Sequence, residues 1–335
     1  MTQADWEIFT GQGGVAPLRD LPPAPGWRTF HGSGAGEVTV AAGRRDYAPL
    51  VNKDVVRMVN AAILLRRPLL VTGDPGSGKS TLAKMIAREL SLGPVLTWSI
   101  TSSTQLRHGL YEYDAIGRVH DDNVRWNSLA AGATPESVDR ARADSLDIGR
   151  YIRLGPLGTA LLPWRRPRVL LIDEIDKSDI DLPNDLLHVF EDGYFSIPEL
   201  RRLPDEQSHA EVWTHDRDGG RREVIRGQVD CSEFPIVLLT SNGERSFPPA
   251  FLRRCLRLKL PKIDRTQLES IVNNQIGGDV EVDALLRRFV SDQEKGTVLA
   301  ADQLLNAVFV LRSGPPPAEA DWKQLQNELM RTLAQ

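Results

Sequence analysis

Apolar residues return at helical spacing between Asn52 and Leu65, at Val55, Met58, Val59, Ala62 and Leu65, which predicts an amphipathic helix stopped by Pro68. The next residues, Leu69-Leu70-Val71, are unbroken apolar and predict a short strand running into a glycine-rich turn. Helical spacing resumes from Ser80 to Leu90, with Leu82, Ile86 and Leu90 inward and Gly93 just past the end. Two later runs, Val169-Leu170-Leu171-Ile172 and Ile236-Val237-Leu238-Leu239, are apolar at every position. Strands of that kind are buried on both faces, so the pattern predicts an α/β fold with a parallel sheet sandwiched by helices.

Around this core the pattern changes three times. Residues 1–45 are rich in Gly and Pro and read as a flexible arm. Within a core spanning 46–261, the polar stretch 114–152 reads as one insertion and 194–230 as a second. The second carries a hairpin signal, Asp218-Gly219-Gly220 between Glu211-Val212-Trp213-Thr214 and Glu223-Val224-Ile225. From 262 to 335 the spacing is wholly helical (Leu268, Ile271, Val272; Leu285, Leu286, Phe289, Val290; Leu304, Leu305, Val308, Leu311) and predicts a small C-terminal helical domain.

Charge narrows the partners. The 41 Lys plus Arg nearly balance 45 Asp plus Glu, a formal net charge of −4, so no global field draws the chain onto nucleic acid or an anionic membrane. Cys231 and Cys255 have no metal-ligand spacing; they suit a reducing cytoplasm and leave a single disulfide open. The start of the chain lacks the basic and apolar regions of a signal peptide, and the strongest apolar stretch, Ala61 to Val71, is broken by Arg66 and Arg67. A soluble cytoplasmic protein is expected.

The chemistry lies where the strands end. Gly73-Asp74-Pro75-Gly76-Ser77-Gly78-Lys79-Ser80 has the G-x-x-x-x-G-K-[ST] spacing with a strand before it and a helix, through Thr81, after it. Only a glycine-rich nest at a helix N-terminus presents bare N–H groups to triphosphate oxygens without steric conflict. Gly76, Ser77, Gly78 and Lys79 supply those donors, the Lys79 ammonium is expected to reach the β and γ phosphates of ATP, and the Ser80 hydroxyl to ligate Mg²⁺. The second apolar run ends in Asp173-Glu174, which assigns Asp173 to the metal and Glu174 to the attacking water. Asn242, closing the third run, is expected to hold that water or sense the γ-phosphate, where the alternative is a plain Asn-Gly turn. Arg253 and Arg254 follow as candidate transition-state stabilisers inserted from a neighbouring copy.

In this order of motifs, over residues 47–312, the chain resembles an AAA+ ATPase, and is similar to the MoxR branch in Leu65-Arg66-Arg67-Pro68-Leu69-Leu70 and Gly155-Pro156-Leu157. The resemblance implies an αβα ATPase domain with a helical lid, a hexameric homo-oligomeric ring with ATP between subunits, Asn242 as sensor 1, and Arg254, with Arg253 second, as the finger. It also implies a client or adaptor protein, possibly one carrying a von Willebrand A domain. One departure is Asp302, standing where the family carries a nucleotide-sensing lid arginine. Phe190-Glu191-Asp192-Gly193-Tyr194 and Tyr111-Glu112-Tyr113-Asp114 resemble pore-facing insertions, so Tyr111 and Tyr113 are candidates for gripping a client, against half-buried strand positions.

Three functions compete. Protein remodelling leads. A nucleic-acid motor or restriction-type translocase is disfavoured by the acidic balance, and a small-molecule kinase by Glu174 with the arginine pair. The six histidines have no ligand spacing, which argues against a metal other than Mg²⁺.

Overall fold

The computed structural model describes residues 8–12, 51–130, 147–217, 219–261 and 282–294, with isolated positions at 134, 268, 303, 304, 307, 308 and 328. Helix α1 spans Lys53–Leu65, capped by the Asn52 side chain, which accepts the Val55 N–H at 2.9 Å. It stops before Pro68: Arg66 turns left-handed at φ 52°, and its N–H reaches back to the carbonyls of Ala62 and Ile63. A left-handed non-glycine costs about 1–2 kcal/mol. Here the 3% exposed guanidinium recovers interactions, donating to Ile63 O at 2.6 Å and pairing with Glu233 at 3.1 Å.

The strands are β1 (Leu69–Thr72), β2 (Leu96–Ser99), β3 (Tyr111–Tyr113), β4 (Ile152–Leu154), β5 (Val169–Asp173), β6 (Tyr194–Ser196), β7 (His209–Trp213), β8 (Arg221–Ile225), β9 (Gln228–Asp230), β10 (Ile236–Ser241) and β11 (Leu256–Lys259). The remaining helices are α2 (Lys79–Glu89), α3 (Leu106–Leu110), α4 (Ala115–Ala130), α5 (Pro156–Ala160), α6 (Leu182–Asp192), α7 (Pro198–Arg201), α8 (Pro249–Arg254) and α9 (Val282–Glu294). A five-stranded, all-parallel sheet runs β11-β1-β10-β5-β2. Alternate side chains of its apolar strands enter two separate cores. Leu69, Val71, Val169, Leu171, Ile236 and Leu238 pack with α1 and α2. Leu70, Leu170, Ile172, Val237 and Leu239 pack on the other face with residues of α5, α6 and the insertions. The parallel sheet flanked by helices is the one the sequence predicts.

Strands at either end of 114–152 share one sheet with the strands of 194–230. Strands β3, β4, β7, β8, β9 and β6 form a single six-stranded sheet in that order, joined where Arg153 of β4 pairs with Trp213 of β7. The first insertion brings α4, whose Arg118 donates to the Tyr113 hydroxyl at 3.1 Å and whose Asp121 accepts from Tyr151 at 2.8 Å, while Ile116 and Val119 are 84% and 60% exposed. Gly155 and Gly158 let α5 approach α3 closely, since a Cβ on either would strike a backbone carbonyl at Gly109 or Leu110.

Two sequence expectations need correction. Tyr111 is 6% exposed, stacked on Phe195 with ring centroids 6.4 Å apart, and its hydroxyl donates to Glu199 Oε2 at 2.9 Å. Burial first, then the Glu199 bond, pushes its phenol up to about 12. Tyr111 is a core residue and Tyr113 a half-buried one, so neither is a free gripping surface. Tyr111→Ala is expected to lower unfolding stability by about 3–5 kcal/mol in a denaturant titration; a variant as stable as the parent would return the ring to solvent. The second correction concerns the N-terminal arm. Its residues 8–12 are seated, with Phe9 fully buried, the Asn60 carboxamide taking the N–H groups of Ile8 and Phe9 and returning a bond to Phe9 O at 2.7 Å, and Glu89 accepting from the Thr10 hydroxyl at 2.7 Å.

Both cysteines are buried and not joined in a disulfide, which closes that option, and burial pushes the Cys255 thiol up to about 12. Among the described residues no helix is long and apolar enough to cross a membrane. In the expected C-terminal helical domain, α9 buries Leu285, Leu286 and Phe289. Most of the rest of that expectation, Asp302 included, lies outside the described residues.

Candidate active site

Parallel register brings the candidate residues to one sheet edge. Thr72 pairs with Ser241, Leu239 with Ile172 and Ser99 with Asp173, so the carboxyl ends of β1, β10, β5 and β2 lie side by side. That edge is where open α/β sheets bind ligands.

From β1 the chain passes through Gly73-Asp74-Pro75-Gly76-Ser77-Gly78 into α2. Gly76 and Gly78 are left-handed, at φ 73° and 85°, a conformation that glycine adopts without a Cβ penalty. The Ser77 N–H donates to Asp74 O at 3.2 Å, and the Ser77 hydroxyl is buried without a partner. Lys79, 8% exposed, opens α2 and bends back so that Nζ donates to Gly73 O at 2.8 Å and Asp74 O at 2.9 Å. Its ammonium thus closes the loop from within. Desolvation lowers the Lys79 pKa, opposed by the carboxylates of Asp176, Asp173, Asp74 and Glu174. Thr81 continues the helix.

The Asp173 carboxylate collects two hydroxyls on Oδ1, Ser80 at 2.9 Å and Thr240 at 2.5 Å. Thr240 also accepts the Glu174 N–H at 2.9 Å, so one hydroxyl joins both acidic residues. Glu174 itself is left-handed at φ 61°, ψ 48°, which turns the chain sharply off β5. Such backbone strain costs about 1–3 kcal/mol and concentrates at functional sites. The turn leaves the Glu174 side chain 43% exposed, accepting a bond from Lys177 Nζ at 2.8 Å. The hydroxyl of Ser80 and the carboxylate of Asp173 form a hard-oxygen pair of the kind Mg²⁺ takes alongside phosphate oxygens and water.

Asn242 sits at the end of β10, its N–H donating to Asp176 Oδ2 at 2.9 Å. The arginine pair is placed apart. Arg254 Nε bonds Glu191 Oε2 at 2.7 Å at the end of α6, and Arg253 is exposed, its carbonyl accepting from Arg67 at 3.0 Å. Neither guanidinium makes a hydrogen bond or ion pair to the glycine-rich loop, Asp173 or Glu174. Sequence reasoning missed Thr240, Asp176 and Lys177. Thr240 lies in an apolar run where a threonine reads as a β-branched strand residue, and Asp176 acts on backbone groups that no side-chain pattern announces.

Residues 68–255 match the family model for the AAA domain (dynein-related subfamily). No curated protein matches the chain. Among solved structures it is similar to NtrX from Brucella abortus in complex with ATP, at 17% identity and TM-score 0.41, covering 88% of this chain and 62% of that one. It is also similar to PCH-2 from C. elegans, at 14% identity and TM-score 0.36, covering 80% of this chain and 62% of that one. The chain therefore spans less than two thirds of the length of each.

Proposed function

The chain belongs to the AAA domain family, dynein-related subfamily, and is an ATP hydrolase of the AAA+ kind; from that premise we propose that it works as a Mg²⁺-dependent, MoxR-like ring ATPase that remodels a partner protein. The observation that carries the reading is the hydroxyl-linked set of Ser80, Asp173, Thr240 and Glu174 beside the Lys79 loop. Gly73, Asp74, Pro75, Gly76, Ser77, Gly78 and Lys79 receive the phosphates, with the buried Ser77 hydroxyl free to take one of their oxygens. Ser80 and Asp173 would hold Mg²⁺, which when bound neutralises charge building on the β and γ phosphate oxygens. Glu174, turned outward by its backbone, orients and deprotonates the attacking water, and Asn242 supplies an amide to the γ-phosphate or that water.

Arg254 completes the site of a neighbouring copy. It is 40% exposed and held by a still more exposed carboxylate. An exposed pair of this kind is worth ~0–1 kcal/mol, so a neighbour's γ-phosphate competes readily for the guanidinium. Arg253, one position earlier and exposed, is the second choice. A hexameric ring would act on the client, together with any adaptor, such as one with a von Willebrand A domain.

Specific ATPase activity is then expected to rise with protein concentration as subunits assemble. Mixing an Arg254→Ala chain with a Lys79→Ala chain is expected to recover part of the rate, because some interfaces pair an intact arginine with an intact loop. Specific activity that stays constant on dilution to monomer removes the interfacial assignment.

A further inference from the structure

The turn after β5 and the loop after β10 are tied together by contacts that the hydrolytic reading leaves unused. Asp176 is 4% exposed and accepts two backbone N–H groups on Oδ2, from Asn242 at 2.9 Å and Glu244 at 3.1 Å, while its Oδ1 is buried without a partner. Arg245 adds a third tie, Nη1 to Ser178 O at 2.6 Å. Among the described residues Asp176 has no ion-pair partner. A carboxylate taken from water costs folding free energy, offset here by its two amide bonds and by the Lys79 and Lys177 ammonium groups, which attract it without a direct ion pair. What that charge fixes is the place of Asn242: β10 ends at Ser241 and the loop turns at Gly243 with φ 83°, so the sensor residue is already off the ladder.

We propose that Asp176 is a positioning residue for ATP hydrolysis, holding the Asn242 and Glu244 amides so that the Asn242 carboxamide keeps a fixed place relative to Glu174. Asp176 follows Glu174 by two residues on the same short 3-10 turn, Ile175–Lys177, so the sensor is referenced to the general base rather than to its own strand. Separately, Asp176 ranks first among the four carboxylates that favour the charged form of Lys79. The inference rests on the ATPase reading above.

The test uses the full chain with ATP and Mg²⁺, measuring phosphate release for the parent, Asp176→Asn, Asp176→Ala, Asn242→Ala and the Asp176→Ala/Asn242→Ala double variant. Asparagine keeps an acceptor oxygen for both amides; alanine keeps none. The alanine variant is expected to lose about 10- to 100-fold in kcat, the scale on which misplacement of a reacting group acts, with KM for ATP changed less than about 3-fold. The asparagine variant is expected to recover most of that loss. In the double variant the losses should not add, because Asp176 acts through Asn242. Should the alanine chain fail to fold, Asp176→Leu, which fills a similar space and carries no acceptor for either amide, replaces it in the series.

An alanine variant turning over at the parental rate overturns the inference, as does an asparagine variant no better than alanine, or additive losses. A defect carried by KM with kcat intact also overturns it, moving the action of Asp176 to Lys79. These results leave the ATPase reading standing, whereas a parent chain that releases no phosphate overturns that reading and the inference with it.

Discussion

Glu174→Gln is expected to abolish ATP turnover while leaving ATP binding intact. The substitution is isosteric, and the Glu174 side chain makes an exposed pair with Lys177, so the fold has little to lose. Its left-handed backbone is held from the main chain by the bond to the Thr240 hydroxyl, which glutamine keeps. What goes is the proton acceptor. General-base removal lowers the rate by about 10²- to 10⁴-fold, and because the group acts on water during reaction the loss belongs in kcat. Phosphate release and equilibrium ATP affinity, measured on the same preparation, decide it. Turnover at the parental rate would remove Glu174 as the base. The same variant, loaded with ATP, is expected to retain its client in a pull-down, since a blocked ring cannot release what it holds.

Lys79→Ala is expected to fail one step earlier, at binding. The ammonium meets phosphate charge in the ground state, and a hydrogen bond to a charged group contributes about 1.5–3 kcal/mol, or roughly 10- to 150-fold in affinity. A second effect adds to this. Lys79 bridges the carbonyls of Gly73 and Asp74, so its loss also frees the loop whose N–H groups must converge on the phosphates. Titration of ATP against the parent and the variant reads the effect; unchanged affinity with unchanged turnover would dissociate Lys79 from the nucleotide altogether.

The parts of the fold legible in the sequence were those with local signatures. The apolar runs of β1, β5 and β10 announce doubly buried strands, and the spacing from Gly73 to Ser80 carries its own strand and helix on either side. The β7–β8 hairpin was legible for the same reason: the turn residues Gly219-Gly220 separate its strands. Strand β11 was not legible, because Leu256-Arg257-Leu258-Lys259 is an edge strand that alternates and runs straight on from a helix. Nor was the joining of β4 to β7 in one sheet, since pairing Arg153 with Trp213 is a long-range event that neither segment encodes alone. Helix α4 defeats the usual reading of amphipathicity by placing Arg118 and Asp121 in contact with tyrosine hydroxyls and leaving Ile116 and Val119 outside. In the site, Lys79, Ser80, Asp173 and Glu174 were legible as side-chain chemistry. Asp176 was not, because its work is done on the amides of Asn242 and Glu244.

The seat of Phe9 sets an order of events in the life of each new chain. Residues 8–12 leave the ribosome before the residues they bind, Asn60, 51 positions on from Phe9, and Glu89, 79 positions on from Thr10. Until α1 and α2 have both emerged and packed, the segment has nothing to bind, and closing so long a loop is favourable only once those helices present a finished surface. A segment synthesised before its partners is thus fixed only after them. Its docking seals the core that carries the phosphate loop, so a nascent polypeptide interrupted before Glu89 holds an exposed phenylalanine and no place to put it.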